Sequence, residues 1–305
     1  MQRFSMLSDR HPGAGVLFHI LGPLTVRTEH GPADLGTNKQ RLLLAVLLCR
    51  PEKVLSTDCL AYALWGDKPP SSAASNIRLY VHRLRRALGR DRIITQGRAG
   101  YRLRAQPPEI DAHRFADLVH DGHAAFGAGD PHRASQRLRS ALSLWRDRPF
   151  TGMEDEPALQ AEADRMKEIH LSAVELRLDA DLALGHHVGL VPELVGLVAE
   201  HPLREHLHAQ LMLALYRSGR QAEALDVYRR IRRLLVRELG LEPGSELRAM
   251  EAMILSGASF PSPRLPSFPG PHPLPEGSRP LMESHQGKRP SHSVDIGVGS
   301  PSGVQ

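Results

Sequence analysis

Residues 71–104 read SSAASNIRLYVHRLRRALGRDRIITQGRAGYRLR, and the hydrophobic period changes once inside this stretch. Ile77, Val81, Leu84 and Leu88 fall at i, i+4, i+7 and i+11, one apolar stripe at helical spacing. Ser75, Leu79, His82 and Arg86 then point the opposite way. Arg78 and Arg85 flank that outer face on one side and Arg83 on the other. Ser71 and Ser72, after Pro69-Pro70, are candidate N-caps. Gly89 sits where a C-terminal cap belongs. The second half is strand-like: Ile93-Ile94-Thr95 is β-branched, residues 97–100 (GRAG) can turn, and residues 101–104 (YRLR) alternate. The stretch therefore predicts a helix followed by a short hairpin.

Between Arg78 and Arg104 there are nine Arg, one Asp and neither Glu nor Lys. A helix with one buried stripe and an Arg-rich outer face suits the major groove of duplex DNA, with the hairpin on the neighbouring backbone or minor groove. Guanidinium groups neutralise phosphates and pair bidentately with guanine. The candidate base-reading residues are Asn76, Leu79, His82, Arg83 and Arg86. Arg78 and Arg85 are assigned to phosphates, and Arg98, Tyr101 and Arg102 to the hairpin's contacts. The division between base and phosphate stays open, because the rotation of a helix in a groove is not written in its sequence. The competing reading of such a run is a solvated basic face.

The charge of the whole chain, +5, conceals a split. Residues 16–104 hold 15 basic and 6 acidic side chains, net +9, whereas residues 109–257 hold 18 and 24, net −6. That asymmetry points to a nucleic-acid module joined to a module with another task. The two cysteines, Cys49 and Cys59, lie in apolar helical patterns without a CxxC partner, and read as reduced core thiols. No apolar run is long enough for a signal peptide or a membrane span, so the expected location is the cytoplasm, at the nucleoid, with no membrane partner.

Residues 1–15 are polar and are read as a loose leader. Residues 16–104 form the first predicted domain. Short antiparallel strands are expected at 16–21, 24–27 and 33–35, separated by turns at Gly22-Pro23 and Gly31-Pro32. A mostly apolar helix follows, with Asn38 as its cap, then a short strand at Val54-Leu55. A helix capped by Ser56 or Thr57 comes next, with Leu60, Leu64 and Trp65 facing inward. Lys39, Arg41 and Lys68 are further candidates for phosphates. Residues 105–108 are a short stiff link containing Pro107-Pro108. Residues 109–257 read as helix throughout. Gly129, Gly185 and Gly219 each begin a similar pattern, and 34 residues separate the last two, the tetratricopeptide period. The first pattern is set apart from the second by an insertion at about 146–167. Residues 258–305 hold ten of the 24 prolines and are expected to be disordered. The predicted class is mainly α with a small β part: a winged helix-turn-helix followed by an all-α, tetratricopeptide-like domain.

The run VHRLRRAL with the later GYRL resembles the recognition helix and wing of OmpR-type winged helices. Over residues 18–255 the chain resembles the Streptomyces antibiotic regulatory protein family, the AfsR/DnrI/RedD type of activator. The residues that carry this are FHILGPLTV, KQRLLLAVLL and LAYALWGDKPP, then the opening Asp111-Ala112-His113-Arg114-Phe115, ALSLW, and the long run from His201 to Leu247. The resemblance implies an OmpR-like DNA-binding domain and a bacterial transcriptional activation domain. It further implies double-stranded promoter DNA with direct repeats in secondary-metabolite clusters, and RNA polymerase holoenzyme as partner. Protomers on adjacent repeats would associate head-to-tail. Asp147 departs from the family, which usually has Gly after Leu-Trp-Arg.

No nucleotide-binding G-x-x-x-x-G-K-[ST] and no G-x-S-x-G occurs, so no catalytic residue and no cofactor is assigned. His201, His206 and His208 are close in sequence but do not share a helix face, and His186-His187 lies in a repeat turn, so no metal site is assigned. Asp179 and Asp181 face different ways on one helix. Trp145, Tyr216 and Tyr228 read as core. Two other functions fit the same pattern: a helical adaptor whose basic domain binds an acidic protein, and a small-molecule sensor.

Overall fold

The computed structural model describes residues 15–257, all within one compact unit. The expectations for residues 1–14 and 258–305 lie outside the described residues. The chain begins with a three-stranded antiparallel sheet, β1 (Val16–His19), β2 (Thr25–Thr28) and β3 (Gly31–Pro32), in that order. Three helices follow, α1 (Asn38–Leu48), α2 (Thr57–Trp65) and α3 (Ala73–Leu88), with the strand β4 (Val54–Leu55) between the first two. β5 (Ile93–Thr95) and β6 (Tyr101–Leu103) form the hairpin, and β6 lies between β4 and β5 in a second sheet. Small sheet, three helices, hairpin wing is the winged-helix order.

The first sheet corrects two expectations. Gly31-Pro32 is strand β3 rather than a turn, and the reversal falls at Glu29-His30. Residues 33–35 are not a strand, although the Ala33 N–H still donates to the Val26 carbonyl at 2.9 Å. Pro32 lacks an N–H and sits at the sheet edge, where none is needed. The cap of α1 is Thr37 rather than Asn38, and the Thr37 N–H donates to Gln40 Oε1 at 2.8 Å. Ser56 caps α2, its Oγ accepting from the Cys59 N–H. Residues 42–48 of α1 are all buried, which makes α1 the centre of this part. Gly100 is required where it stands: its φ is +128°, and a Cβ there would lie 1.9 Å from the Leu55 carbonyl oxygen.

Seven further helices follow a 3-10 turn at Pro107–Glu109: α4 (Asp111–Gly127), α5 (Pro131–Leu142), α6 (Pro157–Ala183), α7 (His187–Glu200), α8 (Glu205–Arg217), α9 (Gln221–Leu239) and α10 (Ser245–Ser256). Gly129, Gly185 and Gly219 all have positive φ and turn α4 into α5, α6 into α7 and α8 into α9. Gly122 lets α4 and α5 close up, since a Cβ there would stand 2.6 Å from Leu138 Cγ. The expected insertion resolves into a loop and the first turns of α6, whose 27 residues span roughly 40 Å.

The hydrophobic core continues across the Pro107-Pro108 link. Phe18, Leu21, Leu42 and Ile77 share one cluster with Phe115, Leu138, Phe150 and Leu159. A second cluster holds α7–α10. α6 enters both, with Met166 and Ala173 in the first and Leu178 and Leu182 in the second. Between the winged helix and the helices behind it, hydrogen bonds converge on two residues. Asp111, 3 % exposed at the head of α4, accepts from the N–H groups of Ile20 (2.8 Å) and Leu21 (3.2 Å) and from Arg146 Nη2 (3.1 Å). The Ile20 and Leu21 carbonyls accept from the Phe150 and Arg146 N–H groups at 3.1 and 2.9 Å. Asp147, the departure from the family pattern, accepts from the Arg148 N–H inside this loop. The link itself is tied down by Arg92, whose guanidinium donates both arms to Glu109 at 2.7 and 2.8 Å.

Charged side chains also join the helices. Asp181, fully buried, accepts from Ser135 and Arg139 of α5 and from Arg177 of α6, and Arg177 also reaches Glu193 of α7. Arg204 pairs with Glu175 and Glu168. His206 donates from both ring nitrogens, to Asp179 Oδ2 and Glu246 Oε1 at 3.0 Å each, linking α6, α8 and α10. Burial alone would depress its pKa, but the two carboxylates outweigh burial and push it up to about 10. Trp145 packs edge-on to Phe115, with ring centroids 5.6 Å apart.

Two expectations follow. Asp111→Ala strips two buried N–H groups and Arg146 of their acceptor and should cost about 3–5 kcal/mol in denaturant unfolding. His206 has a raised folded pKa, so its contribution is complete below its ordinary value and is lost as pH rises through about 10. The melting temperature of the wild type should therefore fall more steeply between pH 7 and 10.5 than that of His206→Gln.

Candidate nucleic-acid interface

α3 is helical because its apolar residues recur on one face, and that face is the buried one: Ile77, Val81, Leu84 and Leu88 are all under 5 % exposed. Trp65 of α2 stacks on Tyr80 with centroids 6.5 Å apart, which fixes the rotation of α3 about its axis. Ser72 occupies the N-cap position without a side-chain cap bond, and its carbonyl and Oγ accept from Ser75 Oγ (2.7 Å) and Asn76 Nδ2 (3.2 Å). Gly89 ends the helix with φ +105°.

Arg78, Leu79, His82, Arg83 and Arg86 are exposed, and Leu79 shows 44 % of its surface. Asn76 is half-buried beside them. Arg78 Nε rests 3.3 Å from the Ala74 carbonyl, one turn back. Sixteen residues give α3 a length of roughly 24 Å, and its outer face carries no acidic side chain. A major groove about 12 Å wide accepts such a helix. The hairpin turn at 96–100 is held by Gln96 N–H to Gly100 O and Ala99 N–H to Gln96 O, 2.9 Å each, and presents Arg98 in solvent.

Three of the sequence-assigned residues are placed otherwise than a surface contact requires. Arg85 is half-buried: Nε donates to the Ile93 carbonyl and Nη2 to Thr95 Oγ1, both at 2.7 Å, so it braces α3 against the wing. Tyr101 is 7 % exposed, in the core opposite Leu55. Arg102 lies 3.4 Å from Glu52 across the sheet. The other phosphate candidates divide the same way. Lys39 Nζ donates to the Leu64 carbonyl at 2.6 Å and Arg41 Nη2 to the Leu24 carbonyl at 2.9 Å, whereas Lys68 is exposed. Arg90 and Arg104 are exposed as well, like Arg78, Arg83, Arg86 and Arg98, and their only signal in the sequence is their share in the Arg-rich run.

Away from this face, Cys49 is half-buried; burial first, then the nearby Glu162 carboxylate, pushes its thiol pKa far up, as for an inert core thiol. Among the described residues no helix is long and apolar enough to cross a membrane.

Comparison with known proteins covers both parts of the chain. Residues 33–103 match the family described as "Transcriptional regulatory protein, C terminal", and residues 110–255 match "Bacterial transcriptional activator domain". The regulatory protein AfsR of Streptomyces griseus is 40 % identical over 78 % of this chain and 24 % of its own length. The regulatory protein DnrI of Streptomyces peucetius is 34 % identical over 78 % of this chain and 91 % of its own. Thus the chain spans about a quarter of AfsR and nearly all of DnrI. A solved structure of Mycobacterium tuberculosis EmbR, in complex with a low-affinity phosphopeptide, superposes with a TM-score of 0.78 at 34 % identity, covering 81 % of this chain and 67 % of that one.

The placement of the arginines separates their roles by experiment. Arg85→Ala should lower stability by about 1–3 kcal/mol, because it leaves the Ile93 carbonyl without its charged donor. Arg83→Ala and Arg86→Ala should stay within about 0.5 kcal/mol of wild type. Denaturant midpoints of the three variants check this directly.

Proposed function

This chain belongs to the Streptomyces antibiotic regulatory protein family of transcriptional regulators, and on that premise we propose that it is a sequence-specific activator which seats α3 in the major groove of double-stranded promoter DNA. Asn76, Leu79, His82, Arg83 and Arg86 read base edges, Arg78 holds a phosphate, and Arg98 reaches the neighbouring backbone from the wing. The observation that carries this reading is the outer face of α3, exposed and free of acidic side chains on a helix whose rotation is fixed by packing. Arg85, Tyr101 and Arg102 keep a part in it through the wing: they set where Arg98 stands.

The same reading extends to the helical part. It recruits RNA polymerase holoenzyme, and its net charge of −6 argues against independent DNA binding. Direct repeats upstream of a secondary-metabolite cluster would bring protomers head-to-tail, a heterologous contact. The place of action is the cytoplasm, at the nucleoid.

Binding should be strongly electrolytic. With roughly 6–10 phosphate contacts from two protomers, affinity for a two-repeat promoter fragment should fall about 10³–10⁵-fold between 50 and 200 mM salt. Gel shifts over that range, beside shuffled DNA of equal length, measure it. A flat profile, or equal affinity for the shuffled fragment, would remove the DNA reading.

A further inference from the structure

The helical part is acidic as a whole, yet α9 runs against that background. It carries Arg229, Arg230, Arg232, Arg233 and Arg237 against three carboxylates, Glu223, Asp226 and Glu238. Ala224, Val227, Tyr228, Ile231 and Leu235 turn to the core. At 100° per residue the opposite face beyond the first turn is then centred on Asp226, Arg229, Arg233 and Arg237, with Arg230 and Val236 at its flanks. All six are exposed. Arg229 and Arg237 are paired with Asp226 and Glu238 of their own helix, and Arg232 with Glu242. Arg230 and Arg233 make no ion pair among the described residues; Arg233 Nε only touches the Arg229 carbonyl at 3.2 Å.

The strip is not purely charged. Val236 is 47 %, Leu239 51 % and Leu241 59 % exposed, in the last turn of α9 and just beyond its left-handed Gly240 cap. In caps of this kind the residue after the glycine usually covers the helix end. Here Leu241 stands more than half in solvent. Arg230, whose charge acts on Glu223 two turns back, and Arg233 lead along the helix to three exposed apolar side chains at its end, the composition of an interface core with its polar rim.

We infer that the outer face of α9 is the surface through which the bound activator engages the transcription machinery, and that its partner is an acidic protein segment presenting apolar side chains. The inference rests on the activator reading and adds the surface and the chemistry of the contact. Charge complementarity selects the partner: carboxylates pair with Arg230 and Arg233 once water is displaced. The leucines decide against DNA, because a phosphate backbone offers nothing to cover Val236, Leu239 and Leu241.

The test uses the full chain with Arg230→Glu/Arg233→Glu, Val236→Asp and the conservative Arg230→Lys/Arg233→Lys, each first shown to melt like wild type. Two quantities are read on the same two-repeat promoter: affinity by gel shift, and transcript yield with purified RNA polymerase. Binding to polymerase without DNA is the third readout. The charge-reversed and Val236→Asp variants should bind the promoter within about twofold of wild type and lose about tenfold or more of both activation and polymerase binding. The lysine pair should retain most of both. Variants that activate like wild type would overturn the surface and leave the activator reading standing. Parallel loss of promoter affinity would overturn it in favour of DNA on this strip. A wild-type chain that binds the promoter but neither activates nor holds polymerase would overturn both.

Discussion

Ile20 and Leu21 follow the first strand, and their four backbone polar groups all find partners in the helical part: two N–H groups on Asp111, two carbonyls on Phe150 and Arg146. Buried backbone must be paired, and here the partners are contributed from about 90 to 130 residues further along the chain. The winged helix is therefore completed by residues that follow it. Phe18, beside this junction, is fully buried and forms a parallel bridge with Ile110. The orientation of α3 relative to α4–α6 is set by this pairing together with the Arg92–Glu109 clamp at the link. For a regulator, this pairing ties the orientation of α3 to that of the helical surface behind it.

α6 carries that rigidity outward. Its first half lies in the core shared with the winged helix and its second half in the core of α7–α10. The buried carboxylates Glu175 and Asp181 sit on this helix, and each is met by arginine. Such pairs add little net stability over an apolar replacement, but removing one partner strands a buried charge. They fix the register of the helical stack. The far end of the stack is where α9 leaves Arg230 and Arg233 outside, so the same residue type holds the stack together at one place and presents charge at another.

Arginine use in the winged helix divides in the same manner. Arg85, Arg92 and Arg102 are spent on the wing, the link and Glu52, while Arg78, Arg83, Arg86, Arg90, Arg98 and Arg104 face solvent. A guanidinium beside a backbone carbonyl at 2.7 Å and one in solvent look alike in a string of letters. For that reason the sequence alone assigns Arg85 to a phosphate and Tyr101 to a wing contact. Their neighbours in space, Ile93, Thr95 and Leu55, are 6 to 46 residues away in the chain, and the letters beside them do not show that packing.

By itself the sequence determined what rests on local periodicity and backbone stereochemistry. The stripe Ile77, Val81, Leu84, Leu88 fixed α3 and its outward face, the β-branched residues before a Gly turn fixed the wing, and Gly129, Gly185 and Gly219 fixed the reversals of the helical hairpins. These depend on residues within a few positions of one another, so the pattern is complete in the letters. Tertiary structure decided which cations are free, that Gly31-Pro32 pairs as a strand, and that one core runs through the Pro107-Pro108 link. Each of those depends on residues brought together from distant positions. The partners of Ile20 and Leu21 have no signature in the sequence around them, because a backbone N–H is the same group in every residue but proline.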